Sequence, residues 1–200
     1  MPRRSLLPLL AGIFLLAAGC ADPVVFSEIF QQQEGQKIYT AYNIWYTDPD
    51  AISCLNIQQG SFIPIGTEII PEETTSAPFG LGFYERIRFR DTAGREYTIR
   101  FDSGYRLTSM RDYIGYTFTT TPPEELLKDV PEQNRLRISR GEVVPGMNRR
   151  EVTFAYGPPP LCRTPDLRNE SWIYWLTQTE TVRVVFRGDI VRNIFNINNQ

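Results

Sequence analysis

Gly146-Met147-Asn148-Arg149-Arg150-Glu151-Val152 specifies the start of a helix more tightly than any other stretch of this chain. The Asn148 side chain can accept from the amide of Glu151, and Glu151 can reach back to the amide of Asn148, a reciprocal capping box. Met147 precedes the cap and Val152 follows in the helix, the two positions of a hydrophobic staple. Val152, Ala155 and Tyr156 then recur at i, i+3 and i+4. Gly157 can take a left-handed stop, and Pro158-Pro159-Pro160 forbids continuation. The spacing predicts a helix of about two turns, closed at both ends.

Working outward, residues 171–176, 181–186 and 190–195 read as three strands, with Arg187-Gly188-Asp189 as the turn between the last two. On the other side, Asp129-Val130-Pro131-Glu132 begins a second helix that runs through Leu136 and Ile138 to Gly141. Helices followed by an antiparallel meander imply an α+β layer. Within the meander, Trp172 and Tyr174 share one face, and Trp175 lies opposite with Ile173. Trp172 and Trp175 are therefore candidate partner contacts, since exposed aromatics anchor interfaces.

The order Gly146-Met147-Asn148, Glu151-Val152, Tyr156-Gly157-Pro158-Pro159, Trp172, Tyr174, Phe186, Gly188 and Ile190-Val191 resembles the SmpA/OmlA (BamE-like) lipoprotein family. The resemblance covers residues 131–197, about a third of the chain. It implies two helices against a three-stranded antiparallel sheet. It also implies a place in the bacterial envelope, with the outer-membrane β-barrel assembly machine as candidate partner. The chain departs from the family pattern in a longer proline run after Gly157, a shorter turn after Phe186 and an additional amino-terminal module.

That module spans residues 37–102 and is rich in strand formers. Pro64-Ile65-Gly66-Thr67 before a β-branched run resembles the turn-and-strand element of SH3-like barrels. The clearest hairpin alternates Ile87 and Phe89 with Arg86, Arg88 and Arg90, turns at Asp91-Thr92-Ala93-Gly94, and returns through Tyr97, Ile99 and Phe101. Period two on both arms predicts a ribbon with one buried face. Arg86, Arg88, Arg90 and Arg100 fall on the other face, a candidate contact for acidic lipid head groups or an acidic partner, or simply a solvated strand face. Residues 103–130 read as a connector with short helices, and residues 131–200 as the carboxy-terminal module.

Upstream, residues 20–36 read as a tether, although Val24, Val25, Phe26, Ile29 and Phe30 are apolar enough to dock on the body. Residues 1–19 read as a signal peptide: Arg3 and Arg4 precede an apolar run over 6–16, too short for a permanent span. Leu16-Ala17-Ala18-Gly19-Cys20 resembles the lipobox of bacterial lipoproteins, which implies lipidation of Cys20 and a periplasm-facing attachment to the outer membrane.

Composition narrows the chemistry. The chain has no histidine, which removes Ser-His and Cys-His nucleophile pairs and most catalytic zinc sites. The net charge of −2 becomes −4 without Arg3 and Arg4, so nothing points to nucleic acid. Glu72-Glu73, Glu124-Glu125 and Asp48 with Asp50 are acid pairs in turns or helix starts, where acids are expected. No cofactor, metal or catalytic residue is expected. Cys54 and Cys162 can pair in an oxidising compartment. The expectation is a non-enzymatic, lipid-anchored scaffold or accessory subunit. The alternative is a periplasmic lipoprotein that binds or acts on lipid or peptidoglycan.

Overall fold

Reading in chain order, α1 (Phe26–Phe30) is followed by the short strands β1 (Ile38–Thr40) and β2 (Ile44–Tyr46) and a 3-10 turn at Pro49–Ala51. Then come β3 (Ile52–Ser53), β4 (Ser61–Ile63), β5 (Glu68–Thr75), β6 (Glu85–Asp91) and β7 (Glu96–Phe101). The helices α2 (Ser103–Arg106) and α3 (Met110–Thr117) lead to β8 (Phe118–Thr119), α4 (Pro123–Leu126), α5 (Glu132–Ile138) and α6 (Arg149–Tyr156). A meander of β9 (Ser171–Trp175), β10 (Glu180–Arg187) and β11 (Ile190–Asn198) ends the chain. This computed structural model describes residues 26–31, 35–75 and 85–198. The protein is mixed α+β, with a curled sheet and several helices.

The larger sheet has the order β3-β7-β6-β5-β1-β8. Its centre is the predicted ribbon, with Ile87 opposite Ile99 and Phe89 opposite Tyr97. These four side chains are buried and Arg86, Arg88, Arg90 and Arg100 are exposed, as a two-residue period requires. Thr67 and Gly66 turn the chain, Gly66 at φ +77°, so that β4 pairs with β2 while β5 joins the larger sheet. The register of β5 on β6 shifts between Pro71 and Thr74, where proline has no N–H for the ladder.

Residues 103–130 are more than a connector. Met110, Tyr113, Ile114 and Thr117 of α3 recur at i, i+3, i+4 and i+7 and are all buried. The first three pack into the same core as Ile38, Ile87, Phe89, Ile99 and Phe101. β8 then completes the sheet beside β1. The expected tether is also partly built in. Phe26 of α1 is buried against Phe118, with ring centroids 5.3 Å apart, and Ile29 and Phe30 pack on the same core. Val24 and Val25 lie outside the described residues.

The second core joins α5, α6 and the β11-β10-β9 sheet. The capping box forms as read: Asn148 Oδ1 accepts from the Glu151 amide at 2.9 Å, and Glu151 Oε2 accepts from the Asn148 amide at 2.7 Å. Met147 and Val152 are fully buried, consistent with the staple. Asn134 of α5 donates to Glu151 Oε1 at 2.9 Å, so one buried carboxylate ties both helices. With three sheets and six α-helices among the described residues, the chain holds more than the two helices and three strands of the resemblance.

Candidate functional site

The two cores meet along a polar seam that sequence reading missed. The last carbonyls of α5 and α6 lack helical partners, and side chains from the β2 region supply them. Asn43 Nδ2 donates to the Ile138 carbonyl at 2.7 Å, and Trp45 Nε1 donates to the Ala155 carbonyl at 3.1 Å. Asn56 Nδ2 donates to the Tyr156 carbonyl at 2.8 Å and to the Asn43 carbonyl at 3.1 Å. The Asn43 backbone amide reaches the Phe154 carbonyl at 3.0 Å. Gln58 adds a backbone bond to the Trp175 carbonyl at 2.8 Å. Two glycines make the close approach possible. At Gly157 a Cβ would lie 2.8 Å from both Tyr42 and Asn56, and at Gly141 it would lie 2.3 Å from Trp45.

Beneath the larger sheet, Arg106 is buried without a carboxylate partner among the described residues. Its Nε and Nη2 donate to the Tyr116 hydroxyl at 3.2 and 2.9 Å. Its guanidinium lies 5.4 Å from the centre of the Tyr113 ring and 5.5 Å from that of Tyr116, within cation–π range. Burial pushes the Tyr116 hydroxyl up to about 12, so it stays a protonated phenol beside the cation at neutral pH. No pattern in the sequence marks this residue, because nothing local separates a buried arginine from a surface one.

Cys54 and Cys162 do not pair. Both thiols are free, Cys54 buried in the first core and Cys162 exposed in the loop before β9. Burial pushes the Cys54 thiol from 9.0 up to about 11. Titration of the Cys20→Ser protein with a thiol-reactive disulfide reagent is therefore expected to give one fast equivalent, from Cys162, and a second only on unfolding. The unfolded chain gives up the Cys54 proton near pH 9 and the folded one near pH 11, so the folded state holds more proton across that window. Stability is therefore at its full value below pH 9 and falls by about 2–3 kcal/mol as pH rises from 9 to 11. Two fast equivalents at neutral pH, or a flat alkaline limb, would contradict this placement.

Of the predicted partner contacts, Trp172 is not available. It is 4% exposed, its ring lies 4.9 Å from that of Phe186, and its Nε1 donates to the Leu167 carbonyl at 3.0 Å. Alternation placed it with Tyr174 correctly, but that face is the buried one. Trp175 is half-buried, with the Arg163 guanidinium 4.5 Å above its ring. Arg86, Arg88 and Arg90 are exposed, and Arg90 lies 3.8 Å from Glu72. Cys20 lies outside the described residues.

An open groove of about 310 Å³ runs past Ser53, Cys54, Arg100, Asp102 and Tyr105. It contains one carboxylate, and Asp102 Oδ1 is engaged by the amides of Gly104 and Tyr105 at 2.9 and 3.2 Å. Glu85 is nearby, its carboxyl raised by burial and by the charge of Asp102. Among the described residues no group of three or more His, Cys, Asp or Glu could hold a metal ion, and no helix is long and apolar enough to cross a membrane.

These features define a mixed α+β protein of two cores joined by hydrogen bonds between side chains and helix ends, with one basic sheet face. Comparison with protein-family models, curated proteins and solved structures finds no match to the chain.

Proposed function

We propose that this chain is a lipid-anchored envelope protein, attached through Cys20 to the periplasmic side of the outer membrane. It acts as a non-enzymatic scaffold or accessory subunit, and the outer-membrane β-barrel assembly machine is its candidate partner. In this reading α5, α6 and the β9–β11 sheet form a BamE-like module, and the amino-terminal strands form an SH3-like one. The observation that carries the proposal is the lipobox-like Leu16-Ala17-Ala18-Gly19-Cys20 and the nearness of α1 to it in the chain. Six Cα steps separate Cys20 from the buried Phe26, at most about 22 Å of extended chain. An acylated Cys20 would therefore hold the body against the bilayer, and multiple acyl chains make such attachment stable.

The test is recovery of tagged protein from mild-detergent membranes after brief crosslinking, with Cys20→Ser as control. The expected result is a wild-type protein in the membrane fraction and a Cys20→Ser protein released from it, with barrel-assembly subunits enriched only with the former. Equal membrane association of both forms would overturn the anchor. Membrane association without those subunits would remove the proposed partner.

A further inference from the structure

We propose that the base of the β6–β7 ribbon and the adjoining α2–α3 corner form a second membrane contact, fitted to a bilayer surface of anionic phospholipid. The proposal rests on the lipid-anchor reading above. Its core is a cross-strand pair of like charge. Arg86 stands directly opposite Arg100 in the antiparallel register, and both are exposed. Like charges placed directly opposite one another weaken a sheet, so an external anion is the natural partner. Arg88, opposite Thr98, extends the patch. Among the described residues none of these three arginines has an ion pair.

The ribbon is polarised along its length. At the hairpin end Arg90 faces Glu96 across the strands and approaches Glu72, so charge there is balanced. At the base two acids lie close, and neither forms an ion pair with Arg86 or Arg100. Asp102 is turned into the first turn of α2 by two backbone amides. Glu85 stands opposite Phe101, whose ring is buried, and so belongs to the other side of the strand from Arg86.

Apolar side chains adjoin the same end. Tyr105 shares a groove with Arg100 and is 61% exposed, and Leu107, two residues on, is 58% exposed. Arginines beside an exposed tyrosine and leucine match a membrane–water interface, where aromatic rings sit at head-group depth and basic groups meet phosphates. An acidic protein would use the arginines but would not call for this aromatic and aliphatic edge. The corner also contacts α1, which begins six residues after Cys20 in the chain. Arg111, in the first turn of α3, pairs with Glu28 of α1 at 3.1 Å. An acylated Cys20 thus keeps the patch at high effective concentration near the bilayer.

The experiment is hydrogen exchange, read by mass spectrometry, on the full lipidated protein in phosphatidylcholine vesicles and in vesicles containing phosphatidylglycerol. Amides over 103–109 are expected to exchange at least about fivefold more slowly with phosphatidylglycerol, since each basic residue near an anionic leaflet strengthens contact by about that factor. The difference should vanish in the Arg86→Ser/Arg88→Ser/Arg100→Ser variant, survive in the corresponding triple lysine variant, and fade at high salt. Arg183→Ser/Arg192→Ser, on the other sheet, should leave it unchanged. Equal exchange in both vesicles, equal loss in the distant variant, or the same protection from inorganic phosphate without vesicles would overturn the proposal. Protein recovered without acyl chains would overturn the anchor reading alone. Flotation of that protein with phosphatidylglycerol vesicles would then support the face, and failure to float would overturn it.

Discussion

Replacing Asn43 by alanine is expected to lower the unfolding free energy by about 2–4 kcal/mol, the cost of leaving buried polar groups unpaired. Asn43 is fully buried, and its two polar atoms serve different parts of the chain. Nδ2 supplies the Ile138 carbonyl at the end of α5, at 2.7 Å, and Oδ1 accepts from the Ile65 amide at 2.9 Å. The first bond is buried, so water does not replace it readily. Asn43→Asp keeps the acceptor for Ile65 but sets a carboxylate against the Ile138 carbonyl, and should be no better than alanine. Denaturant unfolding measures both, with the exposed Asn196→Ala as reference. A loss no larger than the reference would mean that the seam contributes nothing. Against a total stability of about 5–15 kcal/mol, the expected loss is a large fraction.

Gly157→Ala is expected to cost about 3–5 kcal/mol, for two separable reasons. Gly157 has φ +75° and ψ 176°, a region essentially reserved for glycine, and forcing alanine into it costs about 1–3 kcal/mol. The added Cβ would also sit 2.8 Å from Nδ2 of Asn56 and Cε2 of Tyr42. Neither neighbour can yield easily. Tyr42 is fully buried with its hydroxyl 2.9 Å from that of Thr117, and Asn56 Nδ2 holds two carbonyls. Overpacking of this kind adds about 1–3 kcal/mol. Gly188→Ala is the reference for a positive φ without crowding, because Gly188 has φ +61° and nothing within 4 Å of a Cβ. If both alanine variants lose the same stability, the close packing at Gly157 carries no weight.

What could be read from sequence was local. The capping box at Asn148 and Glu151, the alternation of the β6–β7 ribbon and the meander of β9 to β11 each lie within a few residues or one hairpin, and all appear in the structure. The alternation of Trp172, Tyr174 and Trp175 was also legible, but not which face is covered, because that depends on where α6 packs. The seam was illegible for a related reason. Asn43 meets Ile138 across 95 residues and Trp45 meets Ala155 across 110. Nothing near Asn43 or Asn56 distinguishes an asparagine that completes a distant helix from one that caps a turn. The α3 helix lay between these cases. Its short helix was expected in the connector, but nothing near it showed that Met110, Tyr113 and Ile114 pack into the core of the preceding sheet.

The helix ends at Ile138, Ala155 and Tyr156 are finished by residues that precede them in the chain by 95 to 110 positions. Neither half is therefore a reagent that can stand for the whole. A fragment beginning near residue 131 would present those carbonyls bare to solvent, beside an apolar surface that Trp45 normally covers. Its adhesion to other proteins would report that exposed edge. Partner mapping on this protein calls for point substitutions in the intact chain. Deletion series would create sticky surfaces at the very place where a true contact was being sought.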